Sequence, residues 1–254
     1  MQSVLRSPLL VRLGFAHGFS TRQGGVSLPP FDSNNLGRSV GDDPEHVAEN
    51  HRRLAAAVGY EPTRLFELSQ VHGARVREVL PHELATALRL EEGDALLAAE
   101  PGVAIGVRAA DCLPLLLGDP GTGAVVAVHS GWRGTSAGVV GCAVDALLQR
   151  TSATASQLCA AIFPHIRPCC FEVGEEVAQE LSLAAPGRSV VSRPGLKPHV
   201  DLAAVVRAQL LARGLDPERI DDVTGCTRCE PTQFFSYRRE GQRSGRHLAV
   251  IVAR

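Results

Sequence analysis

A cysteine and a histidine stand at matching ends of two apolar runs. From Arg108 to Gly134 the chain reads RAADCLPLLLGDPGTGAVVAVHSGWRG. Cys112 opens the run that ends at Leu117, His129 closes the run that begins at Ala124, and a turn rich in Asp, Pro and Gly lies between them. Such residues supply backbone angles that others resist, so the segment predicts a β-hairpin. Antiparallel pairing then brings the thiol and the imidazole to one end of a sheet. A second histidine, His72, ends another strand-like motif, Ser69-Gln-Val-His-Gly73. Two histidines and a cysteine are a normal three-residue zinc set, leaving a fourth position for water or substrate. A lone Cys in an apolar strand is more often core packing. No two of the three donors share a helical turn, so spacing alone leaves both readings open. A third reading needs no metal: Cys112 as nucleophile with His129 as base, a hydrolase.

A further polar feature precedes them. His17-Gly-Phe-Ser-Thr-Arg22 starts as a strand and ends at Gly24-Gly25, whose amides beside the Arg22 guanidinium could hold an anion. The Asp43-Pro44 pair predicts a helix start and Gly59 its end, with Val47, Leu54, Ala55 and Val58 as the buried stripe and His46 and His51 in solvent. Strands are expected at Val76–Val79, Gly93–Leu97, Val103–Val107 and Leu158–Phe163. Helices are expected after Gly134, over Glu172–Leu183 and from Asp201 to Gly214. Phe234–Arg239 and His247–Val252, with a turn at Glu240-Gly241, read as a C-terminal hairpin. Hairpins mixed with helical crossovers favour one α+β domain over residues 1–254, with mixed sheets and helices outside.

Composition narrows the class. With 26 basic and 27 acidic residues the net charge is −1, which argues against a nucleic-acid surface or a polybasic membrane patch. Leu9–Val11 is too short for the apolar region of a signal peptide, and nothing approaches the roughly 18 apolar residues of a membrane span. Seven scattered cysteines, an odd number, are unlike a disulfide framework. The expectation is a reduced, cytoplasmic protein. Cys226 and Cys229 form a C-x-x-C pair, but no second pair stands at zinc-ribbon spacing.

The segments HGFSTRQGGVS, GDDPEHVAENHRRLA, SQVHG, ADCLPLLL, VAVHSGWRGT, FEVGEEV, CT and FFSYRREGQRSGRHLAVI follow one another through nearly the whole chain. Together they resemble the bacterial laccase-domain family, long described as polyphenol oxidases and associated with purine nucleoside phosphorylase activity. The resemblance implies a cytoplasmic enzyme with one Zn2+ per chain. Its expected reactions are phosphorolysis of adenosine, inosine and methylthioadenosine, and adenosine deamination; its partners are a purine nucleoside and phosphate. The implied fold is a layered mixture of sheets and helices similar to the catalytic domain of cytotoxic necrotizing factor. The implied metal ligands are the His of QVHG, the Cys of ADC and the His of HxGWRG, here His72, Cys112 and His129.

Around that ion, phosphate calls for guanidinium groups and oriented amides. Arg22, Arg133, Arg238 and Arg239 are the candidates, Arg22 and Arg133 foremost because each sits beside glycines. Asp111 could orient a ligand or take a proton, or make a turn bond. Trp132 and Phe235 could stack on the base, and Asn35 matches a polar position of the family's Ser-Leu-Asn-Leu motif. The family's Gly-Pro-Cys-Ile-Gly loop is replaced by Phe163-Pro-His-Ile-Arg167. The expectation is that Phe163 narrows the pocket and His165 offers a fourth ligand. Two rival enzymes remain: a polyphenol oxidase with copper at the same donors, and a hydrolase that edits peptidoglycan precursors with Cys112. Nine histidines, none in a His-x-His pair, are too few for a four-copper cluster.

Overall fold

The computed structural model describes residues 4–254. In chain order its strands are β1 (Val4–Leu5), β2 (His17–Ser20), β3 (Leu65–Phe66), β4 (Val76–Glu78), β5 (Ala95–Ala98) and β6 (Ala104–Ala109). There follow β7 (Leu113–Gly118), β8 (Val125–Ser130), β9 (Cys159–Ile162), β10 (Val191–Ser192), β11 (His199–Val200), β12 (Ile220–Asp222) and β13 (His247–Val252). One sheet has the order β1-β2-β13-β6-β3 and the other β12-β9-β7-β8-β5-β4; β10 and β11 form a separate pair. Both large sheets mix parallel and antiparallel neighbours, the mixed α+β arrangement expected.

Strand alternation sorts side chains between layers. Leu113, Leu115 and Leu117 of β7 share a core with Val126 and Val128 of β8 and with the helices Val139–Arg150, Glu175–Leu183 and Leu202–Ala212. On the opposite face Leu116, Val125 and Ala127 meet Ile105, Val107, Ala249 and Ile251 of the other sheet. That sheet turns Leu248 and Val250 to the helix Pro44–Val58. The order is therefore helices, sheet, sheet, helix. Because β7 and β8 are covered on both sides, their sequences are continuous apolar runs rather than alternating ones. No helix among the described residues is long and apolar enough to cross a membrane.

The hairpin forms as the sequence predicts, β7 and β8 pairing Leu113 with Ser130 and Pro114 with His129. The second hairpin does not. β13 pairs with β2 and β6, while residues 237–240 are a short helix. The Ser236 hydroxyl accepts the Arg239 amide at 3.3 Å, and the Asp111 carboxylate accepts the Arg238 amide at 2.6 Å. Those bonds curl a segment whose aromatic content reads as strand. His51 is also buried rather than solvated, its Nε2 3.1 Å from the Leu36 carbonyl.

Phe163 lies in the core between the sheets, stacked on Phe19 with ring centroids 5.9 Å apart, and does not line the cavity described below. His165 is likewise buried, its Nδ1 against the Phe163 carbonyl, and burial beside Arg167 pushes its pKa down to about 4. Neither residue narrows a pocket or adds a ligand. Phe163→Gly, alone or with His165→Cys, is therefore expected to cost about 3–5 kcal/mol of stability, read as a fall in Tm. A faster enzyme with unchanged Tm would contradict this placement.

Candidate metal centre and its cavity

Three segments deliver the donors to one point. His129 ends β8 and Cys112 stands just before β7, so the hairpin register brings them together. His72 arrives on the loop before β4, in the left-handed region at φ 61°. Cys112 Sγ is 3.7 Å from His72 Nε2, and one donor atom from each residue lies within 4.8 Å of the others. A tetrahedral ion with normal zinc–sulfur and zinc–nitrogen bonds spaces such donors by about 3.6 Å. The residues thus fit one metal ion. Gly131 lets the chain pass close by: a Cβ there would sit 2.7 Å from His72 Cδ2 and 3.1 Å from Cys112 Sγ.

A group that no sequence motif marks organises the donors. Asp94, buried at the start of β5, accepts from His129 Nδ1 at 2.8 Å, leaving Nε2 to face Cys112. Its carboxylate also accepts the amides of Val71, His72 and Gly73 at 3.2, 2.9 and 2.7 Å. The loop wraps around the anion, and this accounts for the strained backbone of His72. Burial works to raise the Asp94 carboxyl, but hydrogen bonds from His129 and the amides outweigh it and hold its pKa below the usual range. Burial likewise opposes ionisation of Cys112 and His129, yet their mutual attraction lowers the thiol and raises the imidazole. The centre favours a thiolate, the form that binds metals.

These donors lie in a cavity of about 630 Å³. Arg108, Arg133, Arg238 and Arg246 reach it, with Trp132, Phe171 and Tyr237 as aromatic walls. Arg108 is held toward the buried Glu67, 3.7 Å away. Among the described residues no carboxylate pairs with Arg133, Arg238 or Arg246; Arg133 lies 4.3 Å over the Trp132 ring and Arg246 5.7 Å over Tyr237. Three guanidinium groups without counter-ions beside an apolar wall suit an anionic group attached to, or bound beside, a flat ring.

Other expected site residues sit elsewhere. Arg22 lines a separate hollow, where Glu240 accepts its guanidinium at 2.6 Å and Asp32 at 3.2 Å. Asn35 is buried; its Oδ1 accepts the amides of Gly37 and Arg246 at 2.8 and 2.9 Å, so it shapes the wall without reaching the cavity. Asp111 borders the cavity in the left-handed region at φ 93°, but its carboxylate is taken by the Thr227 and Ser236 hydroxyls and the Arg238 amide. These are long-range bonds rather than a turn bond, and they tie the carboxylate to segments 227 and 236–238. Phe235 is fully buried, and Arg239 lies off the cavity lining, its guanidinium paired with Glu240 at 3.0 Å.

Residues 16–254 match the family described as multi-copper polyphenol oxidoreductase laccase. The chain belongs to this family. It is 40% identical over 249 residues to a protein of Deinococcus radiodurans named purine nucleoside phosphorylase, covering 98% of this chain and 92% of that one. The crystal structure of YlmD from Geobacillus stearothermophilus superposes with a TM-score of 0.91 at 35% identity, covering 99% of this chain and 96% of its own. That of Bacillus licheniformis YfiH gives 0.89 at 28% identity, covering 94% and 92%. Despite the multi-copper description, among the described residues the one group of three or more His, Cys, Asp or Glu donors that includes a histidine is that of His72, Cys112 and His129.

Proposed function

We propose that the protein is a zinc-dependent purine nucleoside phosphorylase acting on adenosine, inosine and methylthioadenosine, with adenosine deamination as a second reaction. The observation that carries this reading is the meeting, in one cavity, of a His/Cys/His donor set, three guanidinium groups without carboxylate partners and aromatic walls. Relatives named purine nucleoside phosphorylase support it. When bound, zinc supplies positive charge that polarises a substrate atom or acidifies water.

The chain's own groups divide the remaining work. Arg133, Arg238 and Arg246 hold phosphate and offset its charge as it approaches the sugar. The aromatic walls, Trp132 among them, orient the purine and exclude water, which would otherwise compete with phosphate. In phosphorolysis a phosphate oxygen forms a bond to C1′ as the glycosidic bond to the base breaks. The bonding electrons leave with the base, which takes up a proton, and the other product is the sugar 1-phosphate: ribose 1-phosphate from adenosine or inosine, 5-methylthioribose 1-phosphate from methylthioadenosine.

Arg133→Ala is expected to raise the phosphate KM roughly 10- to 150-fold, the equivalent of one charge-assisted contact, with deamination far less affected. Arg133→Lys restores part of the loss, because a point charge cannot make the forked contact. Arg22→Ala leaves the phosphate KM unchanged, since its guanidinium lies in another hollow. Equal losses of both reactions in Arg133→Ala would contradict the phosphate role.

One observation favours a second reading. Asp94, His129 and Cys112 stand in the order of a cysteine hydrolase's orienter, base and nucleophile. Such an enzyme needs no ion and no His72. A polyphenol oxidase would need copper in place of zinc at the same three donors, which bind either.

A further inference from the structure

Four of the seven cysteines meet at a point that shares no residue with the centre above. Cys169 and Cys170 lie in the turn after β9, Cys226 and Cys229 in the turn after β12. The two turns are joined by a parallel bridge between His165 and Cys226, with the Thr227 amide donating to the His165 carbonyl at 3.1 Å. Cys169 Sγ is 3.6 Å from both Cys226 Sγ and Cys229 Sγ, and Cys170 Sγ is 3.1 Å from Cys229 Sγ; all four sulfurs lie within 4.8 Å of one another. A disulfide needs about 2.05 Å. Four thiolates around a tetrahedral zinc stand about 3.8 Å apart. The observed separations of 3.1 and 3.6 Å are too long for a disulfide and within reach of a shared ion.

The surroundings suit sulfur carrying negative charge. The Arg167 amide donates to Cys226 Sγ at 3.5 Å, the Arg228 and Cys229 amides point at the same atom, and the Arg228 guanidinium is 3.6 Å from Cys170 Sγ. Behind them Arg167 is held by Asp222 at 2.8 and 2.5 Å. Cys170 and Cys226 are buried, Cys169 and Cys229 exposed, which gives an ion a path in from solvent.

We propose that Cys169, Cys170, Cys226 and Cys229 hold a second, structural Zn2+ as a closed tetrathiolate. Soft sulfur donors in tetrahedral array select zinc over hard cations, and a site with four protein ligands has no open position for chemistry. Binding replaces up to four thiol protons with one Zn2+, the protons passing to solvent, and no electron moves. The ion clasps the turn carrying Phe171 to the segment leading to Arg238, both on the cavity wall. Thr227, between the two cysteines of its turn, donates to Asp111 at 2.6 Å and ties the clasp to the residue before Cys112. The proposal is independent of the reaction assigned to the cavity.

The test is metal content of the full chain, purified under reducing conditions with Zn2+ supplied. Wild type is expected to carry about two zinc ions, Cys112→Ser about one, Cys226→Ser/Cys229→Ser about one, and the combined variant none. With Co2+ in place of Zn2+, Cys112→Ser shows the intense sulfur-to-metal charge-transfer bands of a tetrathiolate. If the serine variants fail to fold, alkylation of wild type decides. The four thiols resist alkylation with Zn2+ bound and react once a chelator removes it. A single ion that survives Cys112→Ser but not the paired serine variant supports this site and counts against the other. Wild type with one ion, lost in Cys112→Ser, and four thiols that alkylate equally with and without Zn2+ overturns the proposal. So does a disulfide between Cys170 and Cys229 in reduced protein, or an iron–sulfur chromophore.

Discussion

His72→Ala is expected to remove the ion from the histidine–cysteine centre and to abolish phosphorolysis, although Cys112, His129 and Asp94 all remain. With His72 gone, two protein donors are left for the ion, and catalytic zinc sites keep three. Zinc per chain falls by about one against wild type, while the Tm of the metal-free protein moves little because His72 is exposed on a loop. Two readings part at this variant. A cysteine hydrolase keeps its Asp94–His129–Cys112 array intact and retains turnover. A metal enzyme loses it. Cys112→Ala silences either and so separates nothing, which makes His72 the residue to change.

Asp94→Asn is expected to weaken Zn2+ binding at the same centre by roughly 10- to 100-fold, the usual effect of losing a carboxylate behind a ligating histidine. The carboxylate accepts four N–H groups through two oxygens. Asparagine keeps one oxygen and turns an NH2 group toward at least one of those donors. The loop carrying His72 loses the anion around which it folds, and His129 loses the partner that fixes its tautomer. Chelator competition measures the shift. Because Asp94 is buried, Tm also falls, and Asp94→Glu serves as a control that keeps the charge but misplaces it. Affinity unchanged in Asp94→Asn would show that the ligands need no such support.

What the sequence made legible was local. The Cys112–His129 hairpin is announced by two apolar runs and a turn of Asp, Pro and Gly, and covalent continuity then forces the two residues together. His72 was found by its short motif and by family resemblance. Asp94 was not, because Gly93-Asp-Ala-Leu-Leu97 reads as an ordinary strand; the one available signal is a carboxylate heading a buried apolar run. Arg22 was misplaced for the opposite reason. Its neighbouring glycines suggested an anion site, whereas its partner Glu240 lies far along the chain, where no spacing rule reaches. Phe163 stands where the resemblance implies a glycine, and sequence alone cannot tell that its side chain enters the core between two sheets rather than the cavity. The four-cysteine cluster was half visible: the C-x-x-C of Cys226 and Cys229 stood out, but its complement is the adjacent pair Cys169-Cys170, which fits no finger spacing.

The reaction itself is the most direct test of the central claim. Wild-type protein, a metal-depleted sample and the same sample reloaded with Zn2+ are each incubated with adenosine, with and without inorganic phosphate, and the products are separated. Ribose 1-phosphate is expected in an amount equal to adenine plus hypoxanthine, only where both Zn2+ and phosphate are present, with inosine formed in the absence of phosphate as the deamination product. Adenosine left intact by the zinc-loaded protein, or adenine released equally well after metal removal or without phosphate, would contradict the assignment.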